Sequence, residues 1–457
     1  MSGLRDVVFT VLLLGLVPVS FRRPWVGVLA WSWIAYMAPH QLTWGFGRVL
    51  PVAMLIGGAT LAGFLLTKDR KPVPRVTGTV LLTALAAHFT LTTLLAYNPA
   101  LAAGKLDWVL KSMLMTFVTM ALFQDRARLR ALYLVIALSL GFYGLKGGLW
   151  VLRTGGGEVV QGPGTTFFAD NNTLGLALCM VLPLLLYLSR EEPRRWLKLL
   201  LRATFALTII AVLFTYSRGA FLGLSVILGI LIWRSPWRLR FAGAIVVAAL
   251  VAAPFLPERL WLRIGSITDQ ESAETRDQSS AGRLEAWSVA WNLALSQPLT
   301  GAGFRAFHNP EIWDRYHPGL YVKVRDAHSL YFEVLGEHGF LGFALYMALL
   351  LNTLVHLRRI RKRWRDDPEH GYLSRYAEMT QLSLYPFLVA GAFLTVAYFD
   401  LYQHLIGTSI VLQALGARAQ AAEAAEAAAV AVPRTVRLRP LPGPRHRPAL
   451  PSRTPHA

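Results

Sequence analysis

The chain has 457 residues, 54% of them hydrophobic and only 16% charged, and Lys and Arg exceed Asp and Glu to give a formal net charge of +20. Apolar runs separated by short basic loops identify an all-α polytopic membrane protein, so the cations read as topology signals and a nucleic-acid partner is excluded. The single cysteine, Cys179, lies inside an apolar run, which leaves no disulfide framework and no thiol cluster for a metal.

In chain order, spans are expected over 6–20, 24–38, 48–67, 79–97, 106–123, 129–152, 172–189, 199–216, 218–233, 238–256, 328–355, 377–398 and 401–416. The first lacks a small-residue cleavage site and reads as a retained span. Since the first two and the last are short for a bilayer of roughly 30 Å, the expectation is about twelve to thirteen transmembrane helices. The loops 68–75, 125–130, 190–202, 234–240 and 358–375 are rich in Lys and Arg and alternate with the others, so the positive-inside rule assigns them to the cytoplasm. The loops 40–47, 98–105, 153–171, 215–218 and 257–327 then face the periplasm. The last of these is about seventy residues, long enough to imply function. Its polar part, 269–280, reads as mobile. Residues 283–294, with Trp287 and Trp291 at i and i+4, read as an amphipathic helix on the membrane surface or capping the bundle, and 301–307 as a turn. A transmembrane domain over 1–416, including the periplasmic loop 257–327, is followed by a basic, mostly disordered cytoplasmic tail over 417–457 that can touch anionic lipid.

Chemistry-bearing residues gather on the expected outer face. The stretch 326–342, DAHSLYFEVLGEHGFLG, opens a long apolar helix with His328 in its first turn, and helical spacing puts His328, Phe332, Leu335, Gly339 and Gly342 on one stripe. His338 lies roughly 15 Å deeper and is rotated by roughly 80°, so the two histidines serve different sites. Glu333 and Glu337 point away from the stripe, giving neither a zinc-protease face nor a carboxylate pair. Arg218, in TYSRGAF at a hairpin, and Arg283, in GRLEAW, carry planar forks suited to phosphate. Beside His328 they would hold a diphosphate and leave the imidazole free as a base. Each residue also has a plainer reading: a snorkelling Arg218, an Arg283 paired with Glu285 or a loop carboxylate, a helix-end His328.

Secondary positions are Lys146, among glycines near the outer end of a span, and the loop 162–172 ending in Asn172, both of which could line a donor cavity. Against this, Lys146 snorkels and Asp170 or Asn171 caps a helix. Arg305 and Arg325 would steer an anionic lipid. His338 and Glu337 read as a buried polar pair, and Asp400 with His404, at i and i+4, as a relay or an interfacial pair.

SRGA at a short hairpin, GRLEAW in a large loop and AHSLYFEVLGEHGFLG opening the next span together resemble the O-antigen ligase and O-antigen polymerase superfamily. FRRPWVGVLAWSWIAYMAPHQLTWGF is similar to the branch of O-glycosylation ligases associated with exosortase systems. Ser329 stands where the superfamily more often has Asn. The resemblance implies a metal-independent, cofactor-free, inverting glycosyltransferase of the bacterial inner membrane, with its active site facing the periplasm. Its donor would be a glycan on undecaprenyl pyrophosphate, and its acceptor lipid A core, a protein Ser/Thr or, in a polymerase, the growing glycan. Arg218 and Arg283 would match the pyrophosphate-binding arginines and His328 the catalytic histidine. A lipid-linked glycan transporter is the reading from another class, but transporters show repeats and mid-membrane sites, and this chain shows neither.

Overall fold

The computed structural model describes residues 2–240, 242–244, 247, 273–317 and 324–431, and every regular element among them is helical. The helices are α1 (Ser2–Arg22), α2 (Pro24–Met37), α3 (Val52–Leu66), α4 (Thr77–Leu94), α5 (Pro99–Leu122), α6 (Arg126–Thr154), α7 (Asn171–Glu191), α8 (Arg195–Leu213) and α9 (Arg218–Trp233). These are followed by α10 (Ala273–Ser296), the short α11 (Pro310–Tyr316), α12 (Leu330–Arg363), α13 (Gly371–Gly391) and α14 (Asp400–Ala431). Contacts divide the chain into 1–416 and 417–457.

Helix starts follow local chemistry. Asn98 accepts from the Leu101 amide ahead of Pro99, Asp125 from Arg128, Asp170 from Asn172 and Thr173, and Ser217 from Ala220, each satisfying amides that a helix start leaves without partners. Twelve of the thirteen expected spans meet a helix. The remaining one, 238–256, lies mostly outside the described residues. Six described helices are long and apolar enough to cross a membrane: α1 from Gly3, α4, α6, α7, α8 and α12. The chain is thus a multi-pass membrane protein, while α3 and α9 are apolar but shorter than a full crossing.

The core of residues 1–416 forms around α7, which packs against α6, α8, α9 and α13 and is buried almost throughout Leu174–Ser189. The α6–α8 contact is close because α6 presents glycines to it. A Cβ at Gly144 would lie 2.0 Å from Thr208 Oγ1, and one at Gly148 would lie 2.4 Å from the Leu207 carbonyl. Ion pairs gather the basic loops at one end: Arg128 with Asp69 (2.7 Å), Arg130 with Glu192, Arg234 with Glu378 (2.7 Å) and Arg375 with Glu191.

The opposite end carries a packed cap. Ala286, Val289, Ala290 and Leu293 of α10 bury against Phe307, Ile312, Trp313 and Ala327. Trp287 stacks on Phe332 with centroids 5.0 Å apart, and its indole N–H donates to the Ala327 carbonyl at 3.0 Å. The amphipathic helix expected over 283–294 therefore caps the bundle. Of the polar part expected to be mobile, 273–280 forms the start of α10, and 269–272 lies outside the described residues.

The expected single stripe on α12 does not survive. Gly339 sits at φ 66°, ψ −172°, a conformation open only to glycine, and it breaks the helix. The segment 297–303 fills the break. Phe340 N–H donates to the Pro298 carbonyl (2.7 Å), while the Gly336 and Glu337 carbonyls accept from Ala302 (3.1 Å) and Gly303 (2.8 Å). Tyr97 N–H in turn donates to the Ala302 carbonyl at 2.9 Å, tying the wedge to the end of α4.

Candidate functional site

His328 does not lie in the first turn of α12. Ser329 is the N-cap, and His328 precedes it at φ 45°, a strained left-handed conformation for a residue with a Cβ. The strain is held from both sides. The His328 amide donates to Thr395 Oγ1 at 3.0 Å, and the preceding residue, Ala327, is fully buried under Trp287. The imidazole is thereby projected from the helix mouth, half-buried, instead of lying along the helix face.

Two guanidiniums act on it electrostatically, and a third acts on one of those two. Arg218 at the start of α9 acts on Arg283 of α10, and Arg283 and Arg325 act on His328. Burial, and then the Arg218 cation, hold the Arg283 pKa below its ordinary value. Two cations that act on each other form a preformed field for an anion. Burial lowers the His328 pKa from 6.5; Asp326 opposes the shift and Arg283 and Arg325 reinforce it, so the imidazole is neutral at pH 7 and able to accept a proton. Asp326 also meets His308 Nε2 at 3.3 Å, and the Arg325 guanidinium lies against Gly282 with Nε 4.0 Å from Glu285. The partner expected for Arg283, Glu285, thus lies beside Arg325.

Below the histidine lies a polar layer that the helical stripe conceals. Glu333 and Glu337, expected to point away, are both buried. Glu333 accepts from the Ala397 amide at 2.9 Å, and Glu337 accepts from the Tyr398 hydroxyl and the Arg305 amide, both at 2.6 Å. The two carboxylates and Lys105 of α5 act on one another, and Lys105 Nζ stands 4.0 Å from the Trp108 ring and 5.4 Å from that of Tyr398. No sequence motif marks Lys105, Thr395 or Tyr398; only the two glutamates at i and i+4 were visible.

His338 is fully buried and pairs with Thr92 Oγ1 (2.7 Å), while its carbonyl meets His88 Nε2 at 3.1 Å. It does not form the expected pair with Glu337. Asp400 and His404 meet only through the Asp400 backbone: His404 also meets the Tyr36 hydroxyl at 2.6 Å, and the Asp400 carboxylate bonds with Ser112. Asp170 does cap α7, Asn171 donates to the Thr215 carbonyl at 2.8 Å, and the Asn172 amide is one of the two that Asp170 holds. Arg305 is exposed at φ 58°. Lys146 lines two adjoining cavities beside α6 and the loop after it, the larger of which α1 also lines.

Two family models match the chain. Residues 4–193 match a family of unknown function, DUF5935, and residues 203–347 match the family described as O-antigen ligase. Arg218, Arg283, Arg305, Arg325, His328 and His338 fall in the second, Lys146 and Asn172 in the first. A search of curated proteins finds no match.

Proposed function

We propose, from the match of residues 203–347 to the family described as O-antigen ligase, that the chain is a membrane glycosyltransferase moving a glycan from undecaprenyl pyrophosphate to an acceptor hydroxyl. The observation that carries the reading is the grouping of Arg218 and Arg283, two mutually repelling cations, beside a half-buried imidazole whose proton affinity is depressed.

The leaving group is a pyrophosphate, so the site must neutralise its charge and accept one proton from the nucleophile. The two guanidiniums hold the pyrophosphate oxygens. His328 takes the proton of the acceptor hydroxyl as that oxygen bonds to the anomeric carbon from the face opposite the leaving group. The carbon–oxygen bond to pyrophosphate breaks, and its electron pair leaves with undecaprenyl pyrophosphate, giving inversion. No metal is required in this scheme. We assign the site to the periplasmic face of the inner membrane because the basic loops lie at the other end of the bundle. The acceptor is lipid A core or a protein Ser/Thr; a growing glycan would make the same chemistry a polymerase.

Purified protein supplied with undecaprenyl-pyrophosphate glycan and each acceptor class tests the reading. His328→Ala should bind donor and lose about 10²- to 10⁴-fold in transfer, the usual contribution of a general base. Arg218→Lys and Arg283→Lys should keep charge, lose the fork and weaken transfer, with chelators having no effect. An active His328→Ala variant, or donor movement across vesicles with no transfer to any acceptor, would leave a transporter standing instead.

A further inference from the structure

Two cavities on the N-terminal side of the bundle are not used by this scheme. One, of about 990 Å³, lies between α1, the turns after α2 and the loop after α6; the other, of about 570 Å³, adjoins it. Lys146 and Pro163 line both. Their walls are mainly apolar, with Val8, Phe9 and Leu12 of α1 facing Trp33 and Phe142 across the larger one. The charge in the walls is of one sign. Arg5 and Arg48 line the larger cavity, Arg153 the smaller and Lys146 both, and neither contains an Asp or Glu.

None of these four cations has an ion-pair partner among the described residues. Arg5 lies over the Trp44 ring at 4.5 Å, and Arg48 donates to the Gln41 carbonyl at 3.4 Å. They lie at the His328 end of the bundle. The loop that lines the cavities through Pro163–Thr165 continues to Phe167, whose ring packs 5.0 Å from Phe399, next to the Tyr398 that binds Glu337. That end is opposite the loops in which the positive-inside bias concentrates Lys and Arg, so four cations here are not explained by topology. Charges at a membrane edge are costly unless they face water or an anion.

We infer that residues 4–193 carry a binding site for a long-chain lipid phosphate, separate from the Arg218–Arg283–His328 group, with the chain over the apolar face of α1 and the phosphate among Arg5, Arg48, Lys146 and Arg153. An apolar groove alone would accept any acyl chain, and the cations alone would accept any anion. The combination selects an amphiphile with both. α1 packs chiefly on α2, α3 and the turns after α2, so a lipid reaches the groove laterally from the bilayer.

Titrating phosphatidic acid, diacylglycerol or inorganic phosphate onto the full-length protein in detergent, with bound lipid read by native mass spectrometry, tests this. Phosphatidic acid should bind more tightly than diacylglycerol and should resist millimolar inorganic phosphate. Arg48→Gln/Lys146→Gln should weaken it about twenty-five-fold, taking each cation near a lipid headgroup at about fivefold. Arg48→Lys/Lys146→Arg should restore binding, and Arg218→Gln/Arg283→Gln should leave the same site filled. Equal binding of diacylglycerol would reduce the site to an apolar groove, and displacement by inorganic phosphate would reduce it to an ion site. Undiminished binding in the Gln pair would place the lipid elsewhere. Any of the three overturns the inference. Because the readout is binding and not transfer, it stands or falls independently of the glycosyltransferase reading.

Discussion

Gly339→Ala isolates the device on which the site geometry depends. At φ 66° and ψ −172° a Cβ is strained by about 1–3 kcal/mol. It would also meet the Pro298 carbonyl oxygen at 2.6 Å and the Gln297 carbonyl oxygen at 2.9 Å, both backbone atoms that cannot swing aside. Relief requires the wedge 297–303 to move, putting at risk the hydrogen bond from Phe340 to Pro298 and those from Ala302 and Gly303, each worth about 0.5–1.5 kcal/mol. Losing one of them on top of the strain predicts a loss of about 2–4 kcal/mol. Healing the break into a continuous helix would recover only about 1 kcal/mol of helix propensity. The assay is SDS-driven unfolding of the purified protein in mixed micelles, followed by circular dichroism. Gly104→Ala, on a helix with no atom within 4 Å of the new Cβ, is the control and should be neutral or slightly stabilising. Transfer should fall with stability in Gly339→Ala, because the chain just beyond the wedge carries the Arg305 amide that holds Glu337. Wild-type stability and transfer in Gly339→Ala would refute the idea that the break is required.

Other outcomes follow from the same contacts. A base with a depressed pKa is active above that pKa and loses activity as pH falls through it, so the acid limb of transfer should lie below about 6.5. Since Asp326 raises the His328 pKa and Arg325 lowers it, Asp326→Asn should move that limb to lower pH and Arg325→Gln to higher pH in pH–rate profiles. Limbs that do not move would separate the imidazole from the rate. Trp287→Ala, which removes both the stack on Phe332 and the bond to Ala327, should cost about 2–4 kcal/mol, toward the low end for a Trp because the ring is half-exposed. Trp287→Phe should recover the stack and remain about 1 kcal/mol short, as measured by the same unfolding titration.

The helices were legible because their signals are local. Asp125, Asp170 and Ser217 cap helices within three residues of themselves, and the long apolar runs fix α6 and α7 within a few residues at each end and α12 at its start, although α12 continues to Arg363, well past the expected end at 355. Arg218, Arg283 and His328 could be picked out because each sits in a short motif at a helix start or loop. Their convergence depends on the α10 cap, whose Trp287 and Trp291 spacing was visible in the sequence. What the sequence concealed was the effect of one glycine. Helical periodicity assigns Gly339 to a stripe, whereas its backbone breaks that stripe, and the groups that stabilise the break come from 297–303, nearly forty residues upstream.

The same limit explains the two glutamates. Counted along the helix before the break they face away from His328, and a carboxylate facing lipid would be expensive enough to require a polar partner supplied from elsewhere in the chain. Their partners are the amides of Ala397 and Arg305 and the Tyr398 hydroxyl, supplied by the turn after α13 and by the chain just beyond the wedge. That turn also contributes Thr395, which fixes the backbone of His328 at its positive φ. One short stretch, 395–398, therefore anchors the histidine from one side and the carboxylates from the other. The glutamates consequently act as positioning residues: they hold this stretch against α12, and through Thr395 it sets the direction of the imidazole. Thr395→Val, which keeps the shape and removes the acceptor, tests this chain of contacts. It should release the strained His328 backbone and lower kcat, while donor affinity, which the proposed scheme assigns to Arg218 and Arg283, stays near that of the parent protein. A Thr395→Val protein with unchanged kcat would show that the histidine is oriented by the cap alone.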